Sequence, residues 1–129
     1  MNIKEIREWT KNEFEEISKL IKDKPFLSHY DFFRIRNFKI NSFTREDEKH
    51  VEEVTKKAFK LAENDKIEDA IKELVDLNGV AIPIASAILA MRFPKKYAII
   101  DIRVLKSLKK EEWIKGNRYM KDPKIYVEY

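Results

Sequence analysis

The chain has 129 residues, 43% of them apolar and 12% aromatic, which suffices for one domain with a hydrophobic core of its own. It has no cysteine and two isolated histidines, His29 and His50, so disulfides, thiolate zinc sites and cysteine-ligated iron–sulfur clusters are excluded and any chemistry must come from oxygen and nitrogen groups. The formal charge of +4 says little about partners by itself, no apolar run approaches the roughly 18 residues of a membrane span, and Met1-Asn2-Ile3-Lys4-Glu5 leads straight into a helical pattern, so a soluble cytoplasmic protein is expected.

Ile6, Trp9, Phe14, Ile17, Leu20 and Ile21 recur at helical spacing and predict a first amphipathic helix that ends near Asp23-Lys24-Pro25. Ser28 with Asp31 three residues on reads as a capping box for a short aromatic helix carrying Tyr30, Phe32, Phe33 and Ile35. Thr44 with Asp47 at the third position predicts the start of a longer helix, with Val51, Val54, Ala58, Phe59 and Ala62 on one face. After a reset at Asn64-Asp65, Ile67, Ala70, Ile71, Leu74 and Val75 form another stripe that runs into Asn78-Gly79. Pro83 fits the first turn of the next helix, where a missing N–H costs nothing, and the run to Met91 is apolar on nearly every side, as a buried helix should be. Phe93-Pro94 closes it, and Lys95 to Ile100 is expected to cross as a short extended connection. Asp101 stands at the N-cap position of a helix over about 101–112, and Pro123 opens a last one. No segment alternates with period two, so the expectation is a single all-α domain over 1–129, of about six or seven helices.

Charge is unevenly placed. From Phe43 to Asp76 there are seven basic and eleven acidic residues, net −4, whereas Leu77 to Lys110 holds seven basic and one acidic, net +6. The basic stretch includes Lys95-Lys96 and Lys109-Lys110, which are either phosphate contacts or ordinary solvated surface. Glycine is scarce, with Gly79 and Gly116 alone in the chain, so one set between two helical patterns marks a turn that other residues make only at a cost. Backbone N–H groups at the N-terminus of the second helix then lie clear of side chains, and such groups bind phosphate. Trp9, Trp113, Tyr119 and the Tyr30, Phe32, Phe33 cluster can stack on a base, although rings at such spacing are more often core.

The block Leu77-Asn78-Gly79-Val80-Ala81-Ile82-Pro83-Ile84-Ala85-Ser86-Ala87-Ile88-Leu89, followed after a spacer by Tyr97-Ala98-Ile99-Ile100-Asp101-Ile102-Arg103-Val104-Leu105-Lys106-Ser107-Leu108, resembles the helix-hairpin-helix and aspartate motif of the DNA glycosylase superfamily that includes endonuclease III and adenine DNA glycosylase. The resemblance covers about Leu74 to Leu108 and places the helix-hairpin-helix at about 66–92. It implies that Asn78, Gly79, Val80, Ala81 and Ile82 grip a phosphate of double-stranded DNA, with Lys95, Lys96 and Arg103 adding salt-dependent attraction, and that hairpin carbonyls hold a monovalent cation. It implies Asp101 as the catalytic carboxylate that assists departure of a flipped base.

Three departures from the pattern shape that expectation. Pro83 occupies the place of the lysine nucleophile found in members that also cut the backbone, so no Schiff base forms there and a monofunctional glycosylase is expected. Ala81 stands where a second hairpin glycine is usual. The absence of cysteine implies no iron–sulfur cluster. Because the family's better-known members are longer, a non-catalytic helix-hairpin-helix DNA-binding module, or a degenerate glycosylase homologue, stays open beside the enzyme. So does a homodimer in which a symmetry mate completes the pocket.

Overall fold

The computed structural model describes residues 2–39, 46–99, 114 and 118–128. Among them the secondary structure is helical throughout: α1 (Ile3–Ile21), α2 (His29–Lys39), α3 (Glu48–Glu63), α4 (Ile67–Leu74), α5 (Ile82–Arg92), α6 (Arg118–Lys121) and α7 (Pro123–Glu128). No helix among the described residues is long and apolar enough to cross a membrane.

Local chemistry sets most helix ends. Asn2 caps α1 by accepting the Glu5 amide at 2.8 Å. The capping box before α2 forms as the spacing predicts: the Asp31 amide donates to Ser28 Oγ and the Ser28 amide donates to Asp31 Oδ2, both at 3.1 Å. At α3 the sequence expectation shifts. Asp47 is the N-cap itself, accepting the His50 amide at 3.3 Å, and the helix begins at Glu48, while Thr44 lies outside the described residues. Helix α3 ends in a Schellman motif, in which the Lys66 amide reaches Leu61 O at 2.9 Å and the Asp65 amide reaches Ala62 O at 3.1 Å, with Asp65 itself at φ 60°.

Helix α5 is the centre of the core. Ile82 and every residue from Ile84 to Met91 are buried, as befits a helix with no polar face. Helices α1 and α2 pack on each other and on α5, α3 pairs with α4, and α7 seats Ile125 and Tyr126 against α4. Ile17, Ile21, Leu27, Ile35, Phe59, Ile71, Leu74, Ile88 and Met91 are all buried at 1% exposure or less, so the core is continuous from α1 to α4. Two buried hydroxyls tie separate segments together inside it. Ser18 Oγ donates to Met91 O at 2.7 Å, and Thr55 Oγ1 accepts the Leu27 amide at 2.8 Å while donating to Val51 O.

Beyond α5 the expected extended crossing begins differently. Residues 94–96 form a turn, because Phe93 O accepts the amides of both Lys96 and Tyr97, and only 97–99 run without regular structure. Asp101, Arg103 and the helix expected over about 101–112 lie outside the described residues.

Candidate functional site

The α4–α5 connection is built from alternate anchoring and exposure. Leu77, Val80 and Ile82 are buried, at 2%, 7% and 1%, whereas Asn78 and Gly79 between them are exposed, so the tip projects from a fixed base. The Val80 amide closes on Leu77 O at 3.2 Å, making a four-residue turn with Gly79 in its third position at φ 73°. That dihedral is the one a type II turn requires there, and it explains the glycine, since a Cβ would meet the preceding carbonyl. Ala81, where a second glycine was the resemblance's norm, sits at φ −102° and ψ 178°, ordinary extended backbone open to any residue.

The backbone donors at this corner divide into two sets. Those of Leu77, Asn78 and Val80 are used internally, by Leu74 O, Glu46 Oε2 and Leu77 O. Those of Gly79, Ala81, Ile82 and Ile84 have no acceptor among the described residues, Pro83 has none to offer, and α5 has no side-chain cap. A helix start with no capping carboxylate or hydroxyl carries the positive end of the helix dipole.

Among the described residues, the side chains that meet the tip are acidic. Glu46, whose side chain is 6% exposed, takes the Asn78 amide on Oε2 at 2.8 Å and both the Asp47 amide and His50 Nδ1 on Oε1 at 2.9 Å. His50 Nε2 in turn meets Asp76 Oδ2 at 3.3 Å. Burial pushes the Glu46 pKa up, but the Asn78 amide, His50 and the Asp47 amide together hold it below the ordinary glutamate value. The Glu46 hydrogen bond, with help from Asp76, holds the His50 pKa above its ordinary value against a smaller opposing effect of burial.

The basic residues near this motif in sequence stand elsewhere in space. Lys95 and Lys96 follow the far end of α5, about 16 Å from the hairpin by the rise of an 11-residue helix. Lys96 Nζ pairs with Asp65 and donates to Ala62 O at 3.0 Å, where the Tyr97 hydroxyl also donates at 2.9 Å, so it neutralises the C-terminus of α3. Lys95 is exposed. Arg92 is a brace: its guanidinium donates to Lys24 O at 2.8 Å and to Lys22 O, meets Glu63 at 3.5 Å, and lies 4.6 Å from the Phe93 ring centroid. The structure therefore brings Asn78 to Ile82 together and does not bring Lys95 or Lys96 to them.

The approach to Asp101 is held on two sides. Tyr97 is tied to α3 through Ala62 O, and the Tyr126 hydroxyl from α7 donates to Ala98 O at 2.9 Å. Ile99 then forms part of the wall of an open, mainly apolar cleft of about 560 Å³ with Phe14 and Phe38, and Arg7 and Lys11 of α1 also line it. Of the aromatic candidates, Phe32 is core at 2% exposure, but Trp9, Tyr30 and Phe33 are exposed at 51%, 67% and 41%. Trp113 and the Tyr119 side chain lie outside the described residues. Sequence reasoning did not single out Glu46, Arg7 or Lys11, and for the contact of Glu46 with the hairpin no local signal exists, because Asn78 lies 32 residues away.

Among the described residues no group of His, Cys, Asp or Glu could hold a metal ion, and the chain has no cysteine. The hairpin oxygens differ in kind. Leu77 O and Ala81 O each accept an amide, from Val80 and Ala85.

The fold and the site define a helical domain that displays a glycine turn between the amphipathic helix α4 and the buried helix α5, with amides that have no acceptor among the described residues. No protein family model, curated protein or solved structure matches the chain.

Proposed function

We propose that this chain binds double-stranded DNA through the α4–α5 hairpin, as a helix-hairpin-helix protein of the DNA glycosylase type, and acts as a monofunctional base-excision enzyme. The observation that carries the reading is the set of amides at Gly79, Ala81 and Ile82, which lack an acceptor among the described residues and follow an exposed tip, Asn78-Gly79, whose flanks are anchored. Such a corner suits a non-esterified phosphate oxygen of a nucleotide strand, which fixes the backbone without reading its sequence. A monovalent cation on the hairpin carbonyls would add positive charge facing that phosphate.

For the chemistry, Asp101 is the proposed carboxylate. Hydrolysis adds water across the bond between C1′ of the deoxyribose and the base: the water oxygen bonds to C1′, and the base leaves with the bonding electron pair and a proton. A carboxylate serves this step by stabilising positive charge at C1′ or by accepting a proton from the attacking water. Ile99, two residues before Asp101, belongs to a cleft whose volume, about 560 Å³, exceeds that of a nucleobase. Pro83 offers no amine, so the strand is not cut by a lyase step at that position.

The test is Asp101→Asn against the parent on duplexes that carry single damaged or mismatched bases, scored for abasic-site formation and for binding. The expected outcome is loss of excision by about a hundredfold or more with duplex affinity nearly unchanged. Equal excision by the two proteins removes Asp101 from the mechanism, and salt-sensitive binding without excision by either establishes the non-catalytic module instead.

A further inference from the structure

We infer that Glu46 is an internal anion that shields the hairpin, so that a nucleic-acid phosphate engages the α4–α5 corner only in competition with a carboxylate of the protein's own. The inference rests on the proposed hairpin reading and adds a control of that same corner. Its basis is a contact: Glu46 Oε2 accepts the Asn78 amide at 2.8 Å, one residue from the Gly79 amide, which has no acceptor among the described residues. The carboxylate is not a stray surface group. Its side chain is 6% exposed, and its second oxygen is held at 2.9 Å by the Asp47 amide and by His50 Nδ1, both set by the start of α3.

Two consequences follow from elementary electrostatics. The amide that would open the phosphate grip is already satisfied, and a carboxylate with charge-assisted hydrogen bonds gives up such a partner only to a better anion. A phosphate on the remaining amides must also sit near that negative charge. Two like charges about 4 Å apart repel, even at the dielectric of water, by enough to weaken binding roughly fivefold. Small free anions gain nothing elsewhere to offset this, whereas a duplex carries many phosphates and touches the protein beyond the hairpin. The shield therefore favours a polyanion over a lone phosphate at the same amides.

The experiment measures binding of a short undamaged duplex to the full chain at low salt, by fluorescence anisotropy, for the parent, Glu46→Gln and Asp76→Asn. Gln keeps an oxygen for the Asn78 amide while removing the charge, and Asp76→Asn removes a nearby charge that does not touch the amide. Glu46→Gln is expected to bind roughly fivefold more tightly or better, and Asp76→Asn by less than about twofold because its carboxylate is solvated. Binding by the parent with no gain in Glu46→Gln overturns the shield and leaves the hairpin reading standing, and equal gains in both variants reduce the effect to net charge and also overturn it. No binding by any of the three overturns both. Should Glu46→Gln fail to fold, the backbone amide resonances of the parent decide: Asn78 and Gly79 shifting together as duplex is added supports displacement of Glu46, and Gly79 shifting alone overturns it.

Discussion

Arg92 shows how much one residue's role depends on what surrounds it. Its side chain is 11% exposed, and its guanidinium covers the carbonyls of Lys22 and Lys24, just past the end of α1, while lying on the rings of Phe93 and Phe59. A planar cation with several donors suits this place better than lysine does, because it serves diverging oxygens and stacks at once. Arg92→Ala is expected to cost about 2–4 kcal/mol, combining lost charge-assisted hydrogen bonds with lost packing, and urea denaturation against the parent measures it. The residue was counted in sequence as one more positive charge near the hairpin, and nothing local marks it as a brace. By contrast, the roles of Ser28 and Asp31 are readable from their own neighbours, since a cap acts within three residues of itself.

At the scale of elements, the α4–α5 corner is where conformation and proposed binding meet. Gly79 at φ 73° holds the turn open, and Leu77, Val80 and Ile82 fix it to the core. Gly79→Ala places a Cβ against the preceding carbonyl and is expected to destabilise the fold by about 1–2 kcal/mol. The same change should weaken duplex binding, since relaxation of the turn moves the amides of Ala81 and Ile82; thermal melts and anisotropy titrations read the two effects separately. The hairpin's place, between a stripe ending at Val75 and a proline-started helix, was legible because one flank is periodically apolar and the other apolar on nearly every side. The separation of Lys95 and Lys96 from it was missed, because nearness along the chain was taken for nearness in space, whereas α5 carries them to its opposite end.

For the molecule as a whole, the charged contacts make stability depend on pH at both ends. Burial raises the Asp31 pKa, but Lys24 at 2.8 Å and the amide and hydroxyl of Ser28 outweigh it, leaving a native value below the ordinary 3.8. The unfolded state therefore holds more protons there, and Asp31 contributes stability that is present above about pH 4 and lost as pH falls through the depressed native value. His50 behaves oppositely. Its native pKa lies above 6.5, so its contribution is complete below 6.5 and disappears as pH rises through the raised native value. Unfolding midpoints measured across pH should thus fall on the acid side in the parent and less in Asp31→Asn, and fall on the neutral-to-alkaline side less in His50→Ala. By itself the sequence determined the helical class, most helix limits, the glycine turn and the apolar helix that the core is built on, because each follows from residues within a turn or two of one another. Only the tertiary structure decided that Arg92 and Lys96 close helix ends, that Glu46 reaches the hairpin and that an open cleft borders Ile99, because those contacts join residues separated in the chain, and their partners exist only once the helices have packed.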